Sequence, residues 1–90
     1  MKIAFDIDGT LSDHKWFHRE LQKFVDDGHD VIVWSGCGIP YAQSYVDRNN
    51  LPARVVRKCG EEVDVVFDDA TDRLLNAKLT IQVWNKHLME

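Results

Sequence analysis

Lys2-Ile3-Ala4-Phe5-Asp6-Ile7-Asp8-Gly9-Thr10-Leu11 is the stretch on which the reading of the whole chain turns. Lys2 to Ile7 predicts a strand, and its end carries two acids. Residues two apart in a strand share a side, so the carboxylates of Asp6 and Asp8 can face one point. Acids grouped in this way repel each other unless a cation or a proton joins them. Gly9 permits the sharp backbone turn that ends the strand, and it would bring amide groups near a bound anion. Taken alone, the stretch also reads as a plain strand end followed by a turn.

Working outward, Lys15 to Asp27 predicts a helix, with Trp16, Phe17, Leu21, Phe24 and Val25 recurring at helical spacing and Gly28 ending it. Val31 to Trp34 is an uninterrupted apolar run, expected of a central strand covered on both faces, with the Trp34 ring beneath a helix. Pro40 suits the first turn of a second helix that runs through Asn50, with Tyr41, Ala42, Tyr45 and Val46 on one face. Ala53 to Arg57, Val63 to Phe67 and Leu79 to Trp84 read as three more strands. The last alternates like an edge strand with one wetter face. This order predicts an α/β fold: a three-layer α/β/α Rossmann-like sandwich on a mainly parallel five-stranded sheet, joined by right-handed crossovers. Only Lys58 to Glu62 separates the third and fourth strands, so a compact loop is expected there rather than a helix.

The chain has 90 residues, enough for one domain, because a chain this short buries only about 60% of the surface it exposes when unfolded. No repeat, low-complexity tract or linker divides it, and residues 1–90 read as a single domain without a cap. Eleven Lys plus Arg against fifteen Asp plus Glu give a net charge of −4, which disfavours nonspecific attraction to nucleic acid or anionic membrane. The N-terminal run has no basic segment or long apolar stretch, so a cytoplasmic protein with no membrane association is expected. Cys37 and Cys59 match neither a zinc motif nor a disulfide framework and read as reduced thiols.

A second acid group, Asp68-Asp69, ends the fourth apolar run. Open α/β sheets gather their sites outside the carboxyl ends of their strands. If the first and fourth strands are neighbours, Asp6, Asp8, Asp68 and Asp69 converge on one cation site. Magnesium suits it, as a hard ion held by carboxylates, water and substrate phosphate. Ser35-Gly36 follows the central strand and can donate hydroxyl and backbone hydrogen bonds to phosphate oxygens; Lys58 follows the third strand and can supply a positive charge. Each feature alone is weak, since Ser-Gly is commonly a turn and a lone Lys is commonly solvated. Their order and their placement at strand ends carry the information.

These residues resemble the haloacid dehalogenase-like (HAD) superfamily, whose four motifs map onto Asp6-x-Asp8-Gly9-Thr10, Ser35, Lys58 and Asp68-Asp69 over residues 3–70. Val65-Val66-Phe67-Asp68-Asp69-Ala70 is similar to the fourth motif of small capless members. The resemblance implies a phosphomonoester hydrolase that forms an aspartyl-phosphate on Asp6, with Asp8 as general acid and then base. Ser35 and Lys58 complete the catalytic set, and Gly9, Ser35, Gly36 and Lys58 bind the phosphate. Magnesium would be held by Asp6, Asp8 through its backbone carbonyl, Asp68 and Asp69, with Asp72 an alternative to Asp69. An acid at position 8 distinguishes phosphatases from pumps and dehalogenases within that superfamily.

A site without a cap suits a macromolecular substrate, such as a nucleic-acid end or a phosphoprotein, or a neighbouring subunit acting as lid in a homo-oligomer. Arg54, Arg57 and Lys58 form a small basic group that could hold a polyanion. Cys37 and Cys59 lie close to Ser35 and Lys58, where oxidation would silence the site. His14 and His18, four apart, could share a helix face as a second metal site or touch substrate; Trp16 and Phe17 read as core. The competing readings are a receiver-like phosphate-responsive module and a degenerate superfamily member kept for binding. A receiver would need its phosphorylated Asp at the end of the third strand, where this chain offers only Arg57 and Lys58.

Overall fold

The computed structural model describes residues 1–70 and 75–84. Five strands, β1 (Lys2–Asp6), β2 (Asp30–Trp34), β3 (Arg54–Val55), β4 (Val63–Asp68) and β5 (Ala77–Gln82), form one sheet in the order β3-β2-β1-β4-β5. Every pairing is parallel. Helices α1 (Trp16–Asp26) and α2 (Ile39–Arg48) link β1 to β2 and β2 to β3. The α/β class, the five parallel strands and their edge and central positions are those expected from the sequence.

Strand alternation divides the interior in two. Ile3, Phe5, Val31 and Val33 point to one face and meet Phe17 and Leu21 of α1 and Ala42, Tyr45 and Val46 of α2. Phe5 is the centre of that layer: its ring stacks on Phe67 at 4.8 Å and meets Phe17 edge-on at 6.0 Å. Both helices share this face because β1-α1-β2 and β2-α2-β3 step the same way along the sheet, and right-handed crossovers then put both helices on one side.

The opposite face, lined by Ala4, Ile32, Trp34, Val63 and Val66, is covered by Val56, Cys59, Leu75 and Ala77. Among the described residues this third layer is therefore thin. The chain returns from β3 over β2 and β1 to reach β4 through the compact turn expected at residues 58–62, and Trp34 lies beneath that crossover rather than beneath a helix. A charged cluster ties the crossover to the amino ends of the strands. Arg54 binds both carboxylate oxygens of Asp30, at 2.9 and 2.8 Å, and both of Glu61, at 2.6 and 2.7 Å; Lys2 Nζ reaches Glu61 at 3.0 Å.

Two expectations change at the edges. β5 ends at Gln82, and Leu79 and Ile81 are exposed, at 55% and 38%, because no described helix reaches across to them. Trp16 is also exposed, at 58%, stacked on the outside of Phe17 at 4.1 Å instead of buried in the core.

The crossover turn constrains its own residues. Cys59 has a positive φ of 62°, and Gly60 donates its N–H to the Arg57 carbonyl at 2.8 Å. A Cβ at Gly60 would stand 2.9 Å from that carbonyl oxygen, closer than real side chains come. Gly60→Ala is expected to cost about 1 kcal/mol or more in urea unfolding, whereas Cys59→Gly, at a position that favours glycine, should be neutral or stabilising.

Candidate active site

The strand order reverses between β1 and β4, since successive strands step away from β1 on either side, and this is where an open α/β sheet leaves a crevice at its carboxyl end. Phe5 aligns with Phe67, so Asp6 and Asp68, the next residue on each strand, lie side by side on the face opposite the helices. Asp6 is 5% exposed and Asp68 fully buried. Their position beside the crossover explains Lys58. Its ammonium stands 3.3 Å from Asp6 Oδ1 and 3.0 Å from Asp68 Oδ2, bridging two strands that are distant along the chain.

After β1 the chain makes one wide turn, Ile7–Leu11, closed by Ser12 N–H donating to the Ile7 carbonyl at 3.0 Å. Within it Asp8 is extended and Gly9 takes φ +80°, the left-handed conformation that glycine adopts without cost. Gly9 is buried at that bend. The open cavity of about 310 Å³ at the strand ends is lined by Asp6, Asp8, Ser35, Gly36, Cys37, Lys58, Asp68, Asp69 and Ala70. Thus all the residues singled out for catalysis, metal or phosphate meet in one place, Gly9 excepted, which shapes the wall from behind. Asp72 lies outside the described residues.

Lys58 stands between the carboxylates of Asp6 and Asp68, and one oxygen of each and one of Asp69 lie within 4.8 Å of one another. Burial first, and then the adjacent Asp68 carboxylate, push Asp6 up from 3.8 to about 7 against the lowering pull of Lys58. For Lys58, burial works against the charge, but the adjacent Asp68 and Asp6 carboxylates outweigh it and hold the ammonium above its ordinary value. Asp68 Oδ1 accepts the Ala70 N–H at 2.8 Å. Its Oδ2 is buried with no aligned hydrogen-bond donor, Lys58 approaching it as a charge rather than along a hydrogen-bond direction.

This donor set fits a hard divalent cation. It is all carboxylate oxygen, and among the described residues the buried Asp68 Oδ2 has an unfilled acceptor direction. In an octahedral magnesium shell adjacent ligands stand ~3 Å apart and opposite ones ~4 Å, so the three carboxylates would draw together to share one ion.

Ser35 is buried; its Oγ accepts the Cys37 N–H at 3.0 Å, which folds the loop after β2 toward the cavity. Asp8, by contrast, is exposed at the rim. The Tyr41 hydroxyl donates to Asp8 Oδ1 at 2.6 Å and Cys37 Sγ lies 3.7 Å from Oδ2. The hydrogen bond to Asp8, more than burial, pushes the Tyr41 phenol up to about 12, so Tyr41 remains a donor at neutral pH. Tyr41 was expected on the buried face of α2; it lies one position after Pro40 in the first helical turn, where it overlooks the cavity rim.

The remaining candidates disperse. Arg54 is engaged by Asp30 and Glu61, Arg57 is exposed, and of the basic group only Lys58 reaches the cavity. His14 Nε2 meets the Trp84 carbonyl at 2.6 Å and His18 Nε2 the Tyr45 hydroxyl at 2.8 Å, so the two do not form a second metal site. Cys59 packs under the crossover, and Cys37 is the thiol at the cavity; both are free. No helix of the described residues is long and apolar enough to cross a membrane. Comparison with protein-family models, with curated proteins and with solved structures gives no match.

The raised Asp6 yields a pH prediction. A folded-state value above the unfolded one means that protonated Asp6 contributes stability that is fully present below 3.8 and is lost as pH rises through about 7. In chelator, wild-type protein should therefore lose stability relative to Asp6→Asn between pH 4 and 7. At pH 8 the variant should be more stable by on the order of 2 kcal/mol, less than the whole shift implies because Lys58 loses a partner. Urea unfolding across pH measures this; parallel pH profiles for the two proteins would refute the buried, crowded carboxylate.

Proposed function

We propose that the chain is a magnesium-dependent phosphomonoester hydrolase of the HAD type, working through an aspartyl-phosphate on Asp6. The observation that carries the reading is Lys58 bridging Asp6 and Asp68 at adjacent strand ends, at 3.3 and 3.0 Å, on the floor of a cavity that also contains Ser35 and Asp8. Two buried carboxylates beside one ammonium in an open cavity suit a dianionic substrate only in company with a cation. Asp6, Asp68 and Asp69 would hold that ion with the Asp8 carbonyl. When bound it would supply positive charge to the phosphoryl oxygens and keep Asp6 ionised.

In this reading an Asp6 carboxylate oxygen attacks phosphorus as the bond to the leaving oxygen breaks, and Asp8, protonated, gives its proton to that oxygen. Lys58 and the Ser35 hydroxyl steady the equatorial oxygens. Asp8, now a carboxylate, takes a proton from the water that attacks phosphorus, the bond to Asp6 breaks, and inorganic phosphate leaves. The exposed rim suits a phosphate presented on a larger molecule, whether a nucleic-acid end or a phosphoprotein.

Purified protein is expected to hydrolyse 4-nitrophenyl phosphate with magnesium and to stop when chelator is added. Asp6→Asn should lower turnover by about a thousandfold or more while keeping the fold. Rapidly quenched wild-type protein, unlike the variant, should carry an added phosphoryl group by intact-mass measurement. Equal turnover by Asp6→Asn would remove the nucleophile from the scheme.

A further inference from the structure

We infer that Tyr41 is a positioning residue for Asp8, fixing one carboxylate oxygen so that the other is presented to the leaving group; the inference rests on the hydrolase reading above. The argument starts from the backbone. Asp8 sits in the turn after β1, extended and exposed, beside a glycine in the left-handed region. A short side chain in such a place would exchange rotamers freely. Here both of its oxygens are met from a different segment, the loop after β2 and the first turn of α2.

The two contacts are unequal. The Tyr41 hydroxyl lies 2.6 Å from Oδ1, a short hydrogen bond, and its ring is carried by a helix anchored in the core through Ala42 and Val46. Cys37 Sγ lies 3.7 Å from Oδ2, and a thiol is a weak donor that a substrate oxygen can displace. Oδ1 is therefore the anchored oxygen and Oδ2 the working one. In the first half-reaction the Oδ2–H bond breaks as the proton passes to the leaving oxygen; in the second, Oδ2 takes a proton from the attacking water. Tyr41 keeps its own proton throughout and touches neither phosphorus nor leaving group.

A positioning role for an acid has a signature that a merely structural role lacks. Good leaving groups need no proton, whereas alkoxides do. Across phosphomonoesters running from a nitrophenyl to an alkyl leaving group, Tyr41→Phe should leave KM unchanged. The same variant should lower kcat by about tenfold or more for the alkyl ester and hardly at all for the nitrophenyl ester. In an Asp8→Asn background the same change should add nothing. A uniform loss across the series, no loss, or an additive loss in the double variant would each overturn the inference. The Tyr41 hydroxyl proton should also give a protected magnetic resonance signal in wild type that disappears in Asp8→Ala. Its absence from an active wild type overturns the role of Tyr41 alone. A wild type that shows the signal but hydrolyses no phosphomonoester overturns the hydrolase reading and the role together.

Discussion

Two carboxylates buried side by side with a single ammonium between them is the arrangement on which the rest of this molecule depends. Asp6 and Asp68 are almost without solvent, and Lys58 can neutralise only one of them. Such a group does not stabilise a fold by itself, because desolvation consumes much of the attraction. The structure tolerates it because each acid follows a well-packed aromatic: Phe5 and Phe67 stack in the opposite layer immediately before Asp6 and Asp68. The same two strands thus place Phe5 and Phe67 under the helices and Asp6 and Asp68 on the other side.

That division makes register a functional quantity. A one-residue slip of β4 against β1 would turn Asp68 into the aromatic layer and Phe67 into the cavity. The Phe5–Phe67 stack and the Val83 N–H bond to the Asp68 carbonyl at 2.8 Å oppose such a slip from both sides of β4. The thinness of the third layer among the described residues follows from the same need. A full helix over that face would have to share space with the turn that delivers Lys58, whereas the short crossover brings the ammonium directly above the two acids.

Much of this was legible in the chain because it is written in periodicity and in strand ends. The apolar run into Asp6, the unbroken run of Val31–Trp34 and the acids closing two apolar runs suffice to predict a parallel sheet with Asp6, Ser35, Lys58 and Asp68 at strand ends, and to bring them to one rim once β1 and β4 are neighbours. What could not be read depends on which neighbour a side chain meets. Tyr41 has the spacing of a core residue, yet its place in the first turn of α2 sends it to Asp8. Arg54 looks like part of a basic group with Lys58, but β3 is so short that Arg54 stands near the amino end of β2, within reach of Asp30. Leu79 and Ile81 alternate as a buried face would, and alternation alone does not say whether anything covers it.

Burial also sorts the site by task. Asp6, Ser35 and Asp68 are buried in the floor with their positions set by strand ends, while Asp8, Cys37 and Tyr41 stand exposed at the rim with positions set by a turn and a helix start. Under the proposed reading the floor meets the phosphoryl group, which every substrate shares, and the rim meets the leaving group, which differs between substrates. A change in the floor would then alter all reactions alike, because it changes the charge balance around phosphorus. A change at the rim would alter some reactions and spare others, because it bears on the one proton whose need depends on the leaving oxygen. Selectivity in so small a protein need not come from a closed pocket; it can come from how firmly one exposed carboxylate is held.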